Sequence, residues 1–299
     1  MTVLAIVGPT AAGKSELAVS LARGLGARGR AAELIAIDAF TVYRGMDIGT
    51  ATPPAALRAE IPHHLVDVLE PSESLTVARF QRLARRAIAE VLAREAVPVL
   101  VGGSGLYWRA VVDPLRFPPT EQRVRERLER RWRSDPSAAH AELARHDPAA
   151  AAGIAPENVR RTIRALEVLE LTGEPFSAFD DGFDRYTSIY ADLEVAYLEP
   201  EAEVLRARIH ERAVAMVDAG LLDEARALRR GPELSRTARQ AIGYAEAFAV
   251  LDGELDAAEL PASIAHRTWR FAKRQRSWFR ADPRCEVTDA EQVVARWTT

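Results

Sequence analysis

The 299-residue sequence contains a single cysteine, Cys285. One cysteine excludes an internal disulfide and a zinc site built from several cysteines, and it favours a reducing compartment. No apolar run reaches the roughly 18 residues that a transmembrane helix needs. The N-terminus also lacks the basic stretch and cleavage site of a secretory signal. We therefore expect a cytoplasmic protein that does not bind membranes.

Lysine is scarce as well. Two of the 40 basic residues are lysines, Lys14 and Lys273, and the other 38 are arginines. The net charge is −3, so the overall charge does not point to a nucleic-acid partner. A lysine is a compact point charge with three donors, whereas an arginine is a wide planar fork. A lysine in such an arginine-rich chain indicates a site that an arginine does not fit.

Lys14 lies in a G-x-x-x-x-G-K-S sequence, the pattern of a phosphate-binding P-loop. Its eight residues are Gly8, Pro9, Thr10, Ala11, Ala12, Gly13, Lys14 and Ser15. Backbone N–H groups at a helix N-terminus can bind a diphosphate. Lys14 would neutralise phosphate oxygens, and Ser15 could ligate Mg²⁺. The alternative is a glycine-rich turn without a ligand, but a buried strand before the loop and a helix after it are the context that the motif requires.

Four short apolar runs predict parallel strands separated by helical patterns: Val3–Val7 and residues 34–37, 97–101 and 193–198. Polar or glycine-rich segments follow each run directly. In an open α/β sheet, ligands bind outside the carboxyl ends of the strands. The Gly8 loop, Asp38, residues 102–105 and Glu199 are therefore expected at one edge.

The β/α alternation stops between residues 118 and 186, where Ala, Arg and Glu predominate. We predict an α/β fold with a P-loop NTPase-like parallel-sheet core and an inserted helical domain. Residues 1–117 and 187–299 would form the core with its C-terminal helices, and residues 118–186 the insertion. The C-terminal helices are predicted over residues 201–229, 237–251 and 261–280.

Asp38 follows the second predicted strand and faces the P-loop. A carboxylate in that place can hold Mg²⁺ through water, or it can act as a general base on a nucleophile beside the phosphate. It can also simply cap the following turn.

Two further motifs are less specific. Three glycines surround Ser104, whose hydroxyl could contact a phosphate or a leaving oxygen, although a plain turn would explain the loop equally well. His63 and His64 are adjacent and point in different directions, and no nearby Cys, Asp or Glu completes a ligand set, so we interpret them as structural rather than as metal ligands.

Basic residues cluster in three segments of this net-acidic chain: residues 121–133, residues 160–164 and residues 263–280. The third segment contains Lys273, Arg274 and Arg280 together with interleaved Trp and Phe residues. Basic and aromatic side chains together suit a nucleic-acid backbone and exposed bases. Solvated basic faces on ordinary helices are the alternative reading.

The chain resembles the bacterial-type tRNA dimethylallyltransferases over nearly its whole length. The resemblance rests on segments 8–15, 38–51, 62–65 and 102–107, on 164–168 with 172–173, on 239–244, and on 272–275 with 278–280. Within them, the sequence Met46-Asp47-Ile48-Gly49-Thr50-Ala51 is especially diagnostic.

The resemblance implies transfer of a dimethylallyl group from its diphosphate to N6 of the adenosine 3′-adjacent to the anticodon of tRNA. It implies catalytic roles for Asp38 as the base, Ser104 near the bridging oxygen and Lys14 on the leaving group, with Mg²⁺ on Ser15 as cofactor. The implied diphosphate contacts are Gly8, Thr10, Ala11, Ala12, Gly13, Lys14, Ser15 and Arg239.

The resemblance also implies a surface for the tRNA anticodon stem-loop. Its implied members are Asp38, Ala39, Phe40, Thr41, Ser104, Arg125, Arg160, Arg161, Arg164, Lys273, Arg274 and Arg280. This chain departs from the family at Thr41 and Arg160, where a Gln is usual, and at Ser104, where a Thr is usual.

We expect the protein to be a monomer. Two other functions fit the P-loop: a nucleoside or small-molecule kinase that binds ATP, with Asp38 as base, and a non-catalytic RNA-binding protein. The position of Asp38 argues against the second, because binding alone does not need a carboxylate beside a diphosphate.

Overall fold

The computed structural model describes residues 2–179, 182–183 and 185–298. Residues 180, 181 and 184 of the predicted insertion lie outside the described residues. The strands are β1 (Val3–Val7), β2 (Ala32–Ile37), β3 (His63–His64), β4 (Val97–Gly102) and β5 (Leu193–Tyr197). They form one parallel sheet in the order β3-β2-β4-β1-β5. The four predicted strands and their parallel pairing are confirmed, whereas β3 is too short to leave a pattern in the sequence.

The chain divides into two compact units. The core unit comprises Met1–Leu75, Arg79–Val112 and Ser188–Thr299, and the helical unit comprises Thr76–Ala78 and Asp113–Thr187. The mixed α/β class with a parallel sheet is the predicted one. No helix among the described residues is both long and apolar enough to cross a membrane.

Helices cover both faces of the sheet, because every residue of β1 is buried and a strand buried on both faces needs a layer on each. The first helices of the chain are α1 (Lys14–Gly26), α2 (Ala55–Glu60), α3 (Val77–Ala93) and α4 (Gly105–Val112). On one face, Leu17 and Leu21 of α1 pack with Trp297 near the C-terminus. On the other face, Phe80 and Ile88 of α3 lie in the larger apolar cluster.

The helical unit contains α5 (Gln122–Trp132), α6 (Pro136–His146), α7 (Pro148–Gly153), α8 (Val159–Thr172) and a 3₁₀ turn at Phe176–Phe179. Asp135 and Asp147 begin α6 and α7 by accepting backbone N–H bonds, and each is followed by a proline at the first helical position. A small apolar core around Leu128, Leu143 and Ile163 holds these helices together.

The remaining helices are α9 (Ala202–Asp218), α10 (Leu221–Arg230), α11 (Arg236–Arg239), α12 (Tyr244–Leu251), α13 (Leu260–Ala281) and α14 (Ala290–Thr298). The predicted helix over 261–280 is confirmed by α13. The single helices predicted over 201–229 and 237–251 are wrong. Each is broken at a glycine with positive φ, Gly220 at 97° and Gly243 at 95°, a conformation that ends a right-handed helix.

Candidate active site

The phosphate loop joins β1 to the N-terminus of α1. Gly8 has φ 150°, and a Cβ on it would lie 2.4 Å from the carbonyl oxygen of Leu198. Ala11 has φ 61° and Gly13 φ 89°, so the loop twice enters the left-handed region before α1 begins at Lys14. Such alternation turns successive N–H groups toward one concavity, which can bind an anion. The positive end of the helix dipole adds to this effect.

Lys14 reaches back across this loop. Its Nζ donates a hydrogen bond to the carbonyl of Pro9 at 2.6 Å. Burial and the neighbouring positive charge of Arg212 lower the pKa of Lys14 to about 8, although Asp38 acts in the opposite direction. A buried ammonium whose charged form is disfavoured gains most from an anionic ligand.

Arg212 is the functional residue that sequence reasoning missed. It lies on α9, and its Nη1 is 3.5 Å from Oγ1 of Thr10. Burial lowers its pKa, and the nearby Asp38 partly compensates. A sequence signal did exist: position 212 falls on the apolar stripe of α9, between the buried Ile209 and the half-buried Met216. An arginine on a buried stripe needs an anionic partner or ligand.

Asp38 follows β2, and one of its predicted roles, capping of the turn, is observed. One carboxylate oxygen, Oδ1, accepts the backbone N–H groups of Phe40 at 2.8 Å and Thr41 at 3.3 Å. Capping of the turn is therefore real, and it fixes the orientation of the carboxylate. The Asp38 carboxylate is also close enough to Lys14 and Arg212 to influence the pKa of both.

A cleft with about 620 Å³ of empty space, including its open mouth, lies beside this charged cluster. Thr10, Asp38 and Arg212 line its polar part. The rest of the lining is largely apolar: Phe40, Ile209, Ala213, Met216, Ala241, Ile242, Ile264 and Phe271. An apolar wall beside two cations suits a ligand that joins a short hydrocarbon to an anion.

The diagnostic segment 46–51 forms another wall of this cleft through Gly49 and Thr50. The carboxylate of Glu224 on α10 accepts the N–H groups of Asp47 and Ile48, each at 3.1 Å, and also binds the hydroxyl of Tyr244. A Cβ on Gly49 would lie 2.4 Å from the Tyr244 ring. The segment therefore needs its glycine because an aromatic ring closes against it.

The Ser104 loop follows β4, and its glycines have packing reasons. A Cβ on Gly102 would meet the Ile37 carbonyl oxygen at 2.3 Å, and one on Gly105 would meet Trp278 at 2.7 Å. Ser104 begins α4, since its carbonyl accepts the N–H of Trp108. Its side chain is half-buried.

Comparison with known proteins agrees with this geometry. The model of a family described as IPP transferase matches residues 41–282. The chain belongs to this family. The tRNA dimethylallyltransferase of Kineococcus radiotolerans is 49% identical over 288 residues, which cover 94% of this chain and 88% of that protein. The corresponding enzyme of Thermobifida fusca is 48% identical over 99% of this chain and 92% of that protein.

Solved structures of IPP transferase relatives have the same fold. The full-length tRNA isopentenylpyrophosphate transferase of Bacillus halodurans is 39% identical, with a TM-score of 0.69 over 99% of this chain and 94% of that chain. A eukaryotic dimethylallyltransferase acting on tRNA is 26% identical, with a TM-score of 0.78 over 100% of this chain and 76% of that chain. The predicted family is confirmed.

Two predicted diphosphate contacts differ in their surroundings from the rest of the loop. Arg239 is not among the residues that line the cleft; its side chain is 60% exposed and lies 3.5 Å from Glu233. The backbone N–H of Thr10 already donates to Oε1 of Gln275 at 2.9 Å. Any contact of Thr10 with a diphosphate therefore falls to its hydroxyl, and Arg212 lies beside the loop at this hydroxyl.

The predicted tRNA contacts in the helical unit fall into two groups. Arg125 and Arg164 both bind the carboxylate of Glu167, at 2.6 Å and 2.8 Å, and the Glu167 side chain is fully buried. Arg160 and Arg161 are exposed, and neither guanidinium has a partner among the described residues. Of these four predicted contacts, two are therefore paired with a carboxylate inside the helical unit, and two are exposed at its surface.

The predicted tRNA contacts on α13 divide in the same way. Lys273 and Arg274 are exposed, the latter 5.8 Å from the Phe271 ring. Arg280 instead shares the nearly buried carboxylate of Glu199 with Arg276, at 2.8 Å and 2.6 Å. Near the cleft, Ala39, Phe40 and Thr41 are half-buried, and the Thr41 hydroxyl is buried without a hydrogen-bond partner.

The residues present fit a magnesium ion carried by a diphosphate. Among the described residues, no three His, Cys, Asp or Glu side chains form a metal cluster. Mg²⁺ bound to substrate phosphates needs only one or two protein oxygens. Ser15, exposed in the first turn of α1, and the uncapped oxygen of Asp38 are oxygens of that type. His63 and His64 bind the Ile61 carbonyl and Glu33 instead, each at 2.6 Å.

Proposed function

We propose that this protein transfers a dimethylallyl group from dimethylallyl diphosphate to N6 of the adenosine 3′-adjacent to the anticodon of tRNA. The observation that carries the proposal is the pair of half-buried cations, Lys14 and Arg212, set against Asp38 at the polar part of an apolar cleft. The names of the relatives, which are tRNA dimethylallyltransferases, favour this reaction over phosphoryl transfer from ATP.

The two cations would act on the leaving group. As the bond between the dimethylallyl C1 and its oxygen breaks, the electron pair leaves with the diphosphate. Lys14, Arg212 and the N–H groups of the phosphate loop would stabilise that charge where it develops. Mg²⁺, held at Ser15, would add positive charge to the same diphosphate. Ser104 would donate a hydrogen bond near the bridging oxygen.

Asp38 would accept the proton. The exocyclic amine of adenine is a weak nucleophile, but it becomes acidic as its bond to C1 forms, and a carboxylate can then remove the proton. Oδ1 is held by two backbone N–H groups, so Oδ2 is the oxygen assigned to this transfer. The target base must leave its stack to reach the cleft, where Phe40 offers an aromatic face.

The tRNA would bind to exposed cations. On the helical unit these are Arg160 and Arg161, and on α13 they are Lys273 and Arg274. Such phosphate contacts position the RNA without reading its sequence. A cytoplasmic location and a monomeric state accompany this proposal as predictions.

Calorimetry and a single-turnover assay test the proposal together. Dimethylallyl diphosphate should bind in the presence of Mg²⁺, and ATP should bind far more weakly. Mass spectrometry should find tRNA heavier by one dimethylallyl group in place of a proton. Preferential ATP binding with phosphorylation of a small molecule would establish a kinase instead.

The Asp38→Asn variant then tests the base. It keeps the shape of the side chain, so tRNA and diphosphate affinities should stay within a few fold, while turnover should fall by roughly 10²–10⁴, the range for lost proton transfer. If a Mg²⁺ titration restored the full rate, Asp38 would be a metal holder rather than the base.

A further inference from the structure

Gln275 is a buried polar side chain in the middle of α13. Only 4% of it is exposed, between the exposed Lys273 and Arg274 on one side and the half-buried Arg276 on the other. Burial of an amide costs stability unless its polar atoms are hydrogen-bonded. The carbonyl oxygen and the amino group of this amide are both hydrogen-bonded. Their partners lie in two different loops, the phosphate loop and the Ser104 loop.

The acceptor end binds the phosphate loop. Oε1 of Gln275 accepts the backbone N–H of Thr10 at 2.9 Å, across 265 residues of sequence. The phosphate loop contains residues in the left-handed region, Ala11 among them, and such backbone persists only where neighbouring groups hold it. This hydrogen bond is one of those constraints.

The donor end binds the Ser104 loop. Nε2 of Gln275 donates to the carbonyl of Gly103 at 2.7 Å, one residue before Ser104. A Cβ on Gly103 would lie 2.4 Å from that same Nε2 and 2.8 Å from the carbonyl oxygen of Gly8. Gly103 is therefore glycine because α13 and the phosphate loop both close on it.

We propose that Gln275 is a positioning residue that holds the phosphate loop and the Ser104 loop in register for departure of the diphosphate. The inference deepens the proposed prenyl transfer and rests on it. Gln275 touches no reacting atom; it acts through Thr10 and through Ser104. Misplacement of a catalytic group by about 1 Å can cost roughly 10²-fold in rate, so loss of this bridge should appear in the rate more than in ground-state binding.

Two variants distinguish positioning from simple packing. Gln275→Met keeps the length and approximate volume of the side chain but removes both hydrogen bonds. Gln275→Glu keeps the acceptor for Thr10, but its ionised form has no donor for Gly103. The test is made on this ionised form at pH 8, because the Thr10 N–H and the nearby cations Lys14 and Arg212 oppose the rise in pKa that burial alone would cause.

The matched control is Gln81→Met. Gln81 is a half-buried glutamine in the same core unit whose Nε2 also donates to a backbone carbonyl, that of Ala110, at 2.8 Å. It lies on α3, and it is not among the residues that line the cleft. Gln81→Met therefore reports the cost of removing a glutamine-to-backbone bond that ends within α4, at Ala110.

The experiment measures single-turnover prenyl transfer at saturating dimethylallyl diphosphate and tRNA, well below the melting temperature of each variant. The dissociation constant for dimethylallyl diphosphate is measured separately, so that charge repulsion by the carboxylate of the Gln275→Glu variant is seen in binding and not confused with rate. Gln275→Met should lower the single-turnover rate by roughly 10–100-fold at every pH, with a binding change of only a few fold. Gln81→Met should leave the rate unchanged.

For Gln275→Glu at pH 8, the single-turnover rate should fall at least several fold below wild type, because the ionised carboxylate has no donor for Gly103. A Gln275→Met rate within twofold of wild type would overturn the proposal, as would a Gln275→Glu rate within twofold of wild type at pH 8. If wild-type protein transfers no dimethylallyl group, the proposed function fails by itself, whatever the variants do. If wild type is active and both variants match it, only the role of Gln275 fails.

Discussion

Two charged clusters, one in each unit, show opposite arrangements of buried charge. Around the phosphate loop, Lys14 and Arg212 lie near the carboxylates of Asp38 and Glu16, yet burial still lowers the pKa of both cations. In the helical unit, the buried carboxylate of Glu167 is bound by two arginines, a threonine hydroxyl and a backbone N–H. Burial alone would raise the pKa of Glu167, yet these hydrogen bonds lower it.

The difference separates a site from a scaffold. The charges at Glu167 are satisfied within the protein, so this cluster gains nothing from a ligand. The cations at the phosphate loop are desolvated without enough protein anions, so an added diphosphate would relieve an existing cost. The number of arginines therefore says little about where this chain binds a ligand. The direction in which burial and neighbours shift the pKa of a charged group says more about it.

The largest expected effect concerns Lys14. Lys14→Ala should lower prenyl transfer by roughly 10²–10⁴-fold, because a charge on the leaving diphosphate is lost. Lys14→Arg should not restore the rate, since the planar fork does not fit a loop whose lysine lies 2.6 Å from the Pro9 carbonyl. Steady-state kinetics of both variants test this, and an arginine variant close to wild type would contradict it.

Arg212→Ala comes next. Removal of the second cation should lower turnover by roughly 10²–10³-fold, comparable with loss of one donor to a developing anion. Arg239→Ala is the matched control, because its side chain is 60% exposed and pairs with Glu233. If Arg239→Ala lowered turnover more than Arg212→Ala did, Arg239 would be the diphosphate contact that the family resemblance implied.

Glu167→Gln should affect stability instead of chemistry. Its loss leaves Arg125 and Arg164 without their shared carboxylate, and the free energy of unfolding of the helical unit should fall by about 2–4 kcal/mol at neutral pH. Because the folded pKa of Glu167 is lowered, its stabilisation is complete above the unfolded pKa and disappears as the pH falls through the folded one.

Chemical denaturation at pH 7 and pH 3 measures this difference between wild type and Glu167→Gln. The difference should be large at pH 7 and smaller at pH 3. A single-turnover rate that fell together with stability, in protein shown to be folded, would place Glu167 in the site rather than in the scaffold.

The smallest effect is expected on the surface of α13. Arg274→Ala should weaken tRNA binding equally for all tRNAs. It should also reduce the slope of log K against the logarithm of the salt concentration by about one. Arg280→Ala should reduce that slope less, because its guanidinium is already paired with Glu199 at 2.8 Å. Filter binding at several salt concentrations separates the two. An equal or larger effect at Arg280 would mean that tRNA competes successfully for its guanidinium.

Local sequence patterns predicted a large part of the molecule. Buried parallel strands are continuous apolar runs, so four of the five strands were visible in the sequence. The phosphate loop, Asp38 and the helix over 261–280 were also predicted, because each is determined by residues that are close together in the sequence. The two long C-terminal helices were predicted wrongly, because apolar periodicity continues across Gly220 and Gly243 while the positive φ of each glycine interrupts the helix.

What this sequence determined by itself is the set of features whose physical cause is local: the strands, the glycines that permit the phosphate loop, and a lysine at its end. Only the tertiary structure decided which distant residues serve that loop. Arg212 and Gln275 reach it from helices about 200 and 265 positions away, as their bonds to Thr10 record. It also decided that Arg125 and Arg280 have acidic partners. The physical reason is that desolvation and pairing depend on three-dimensional neighbours, which residue type and spacing do not specify.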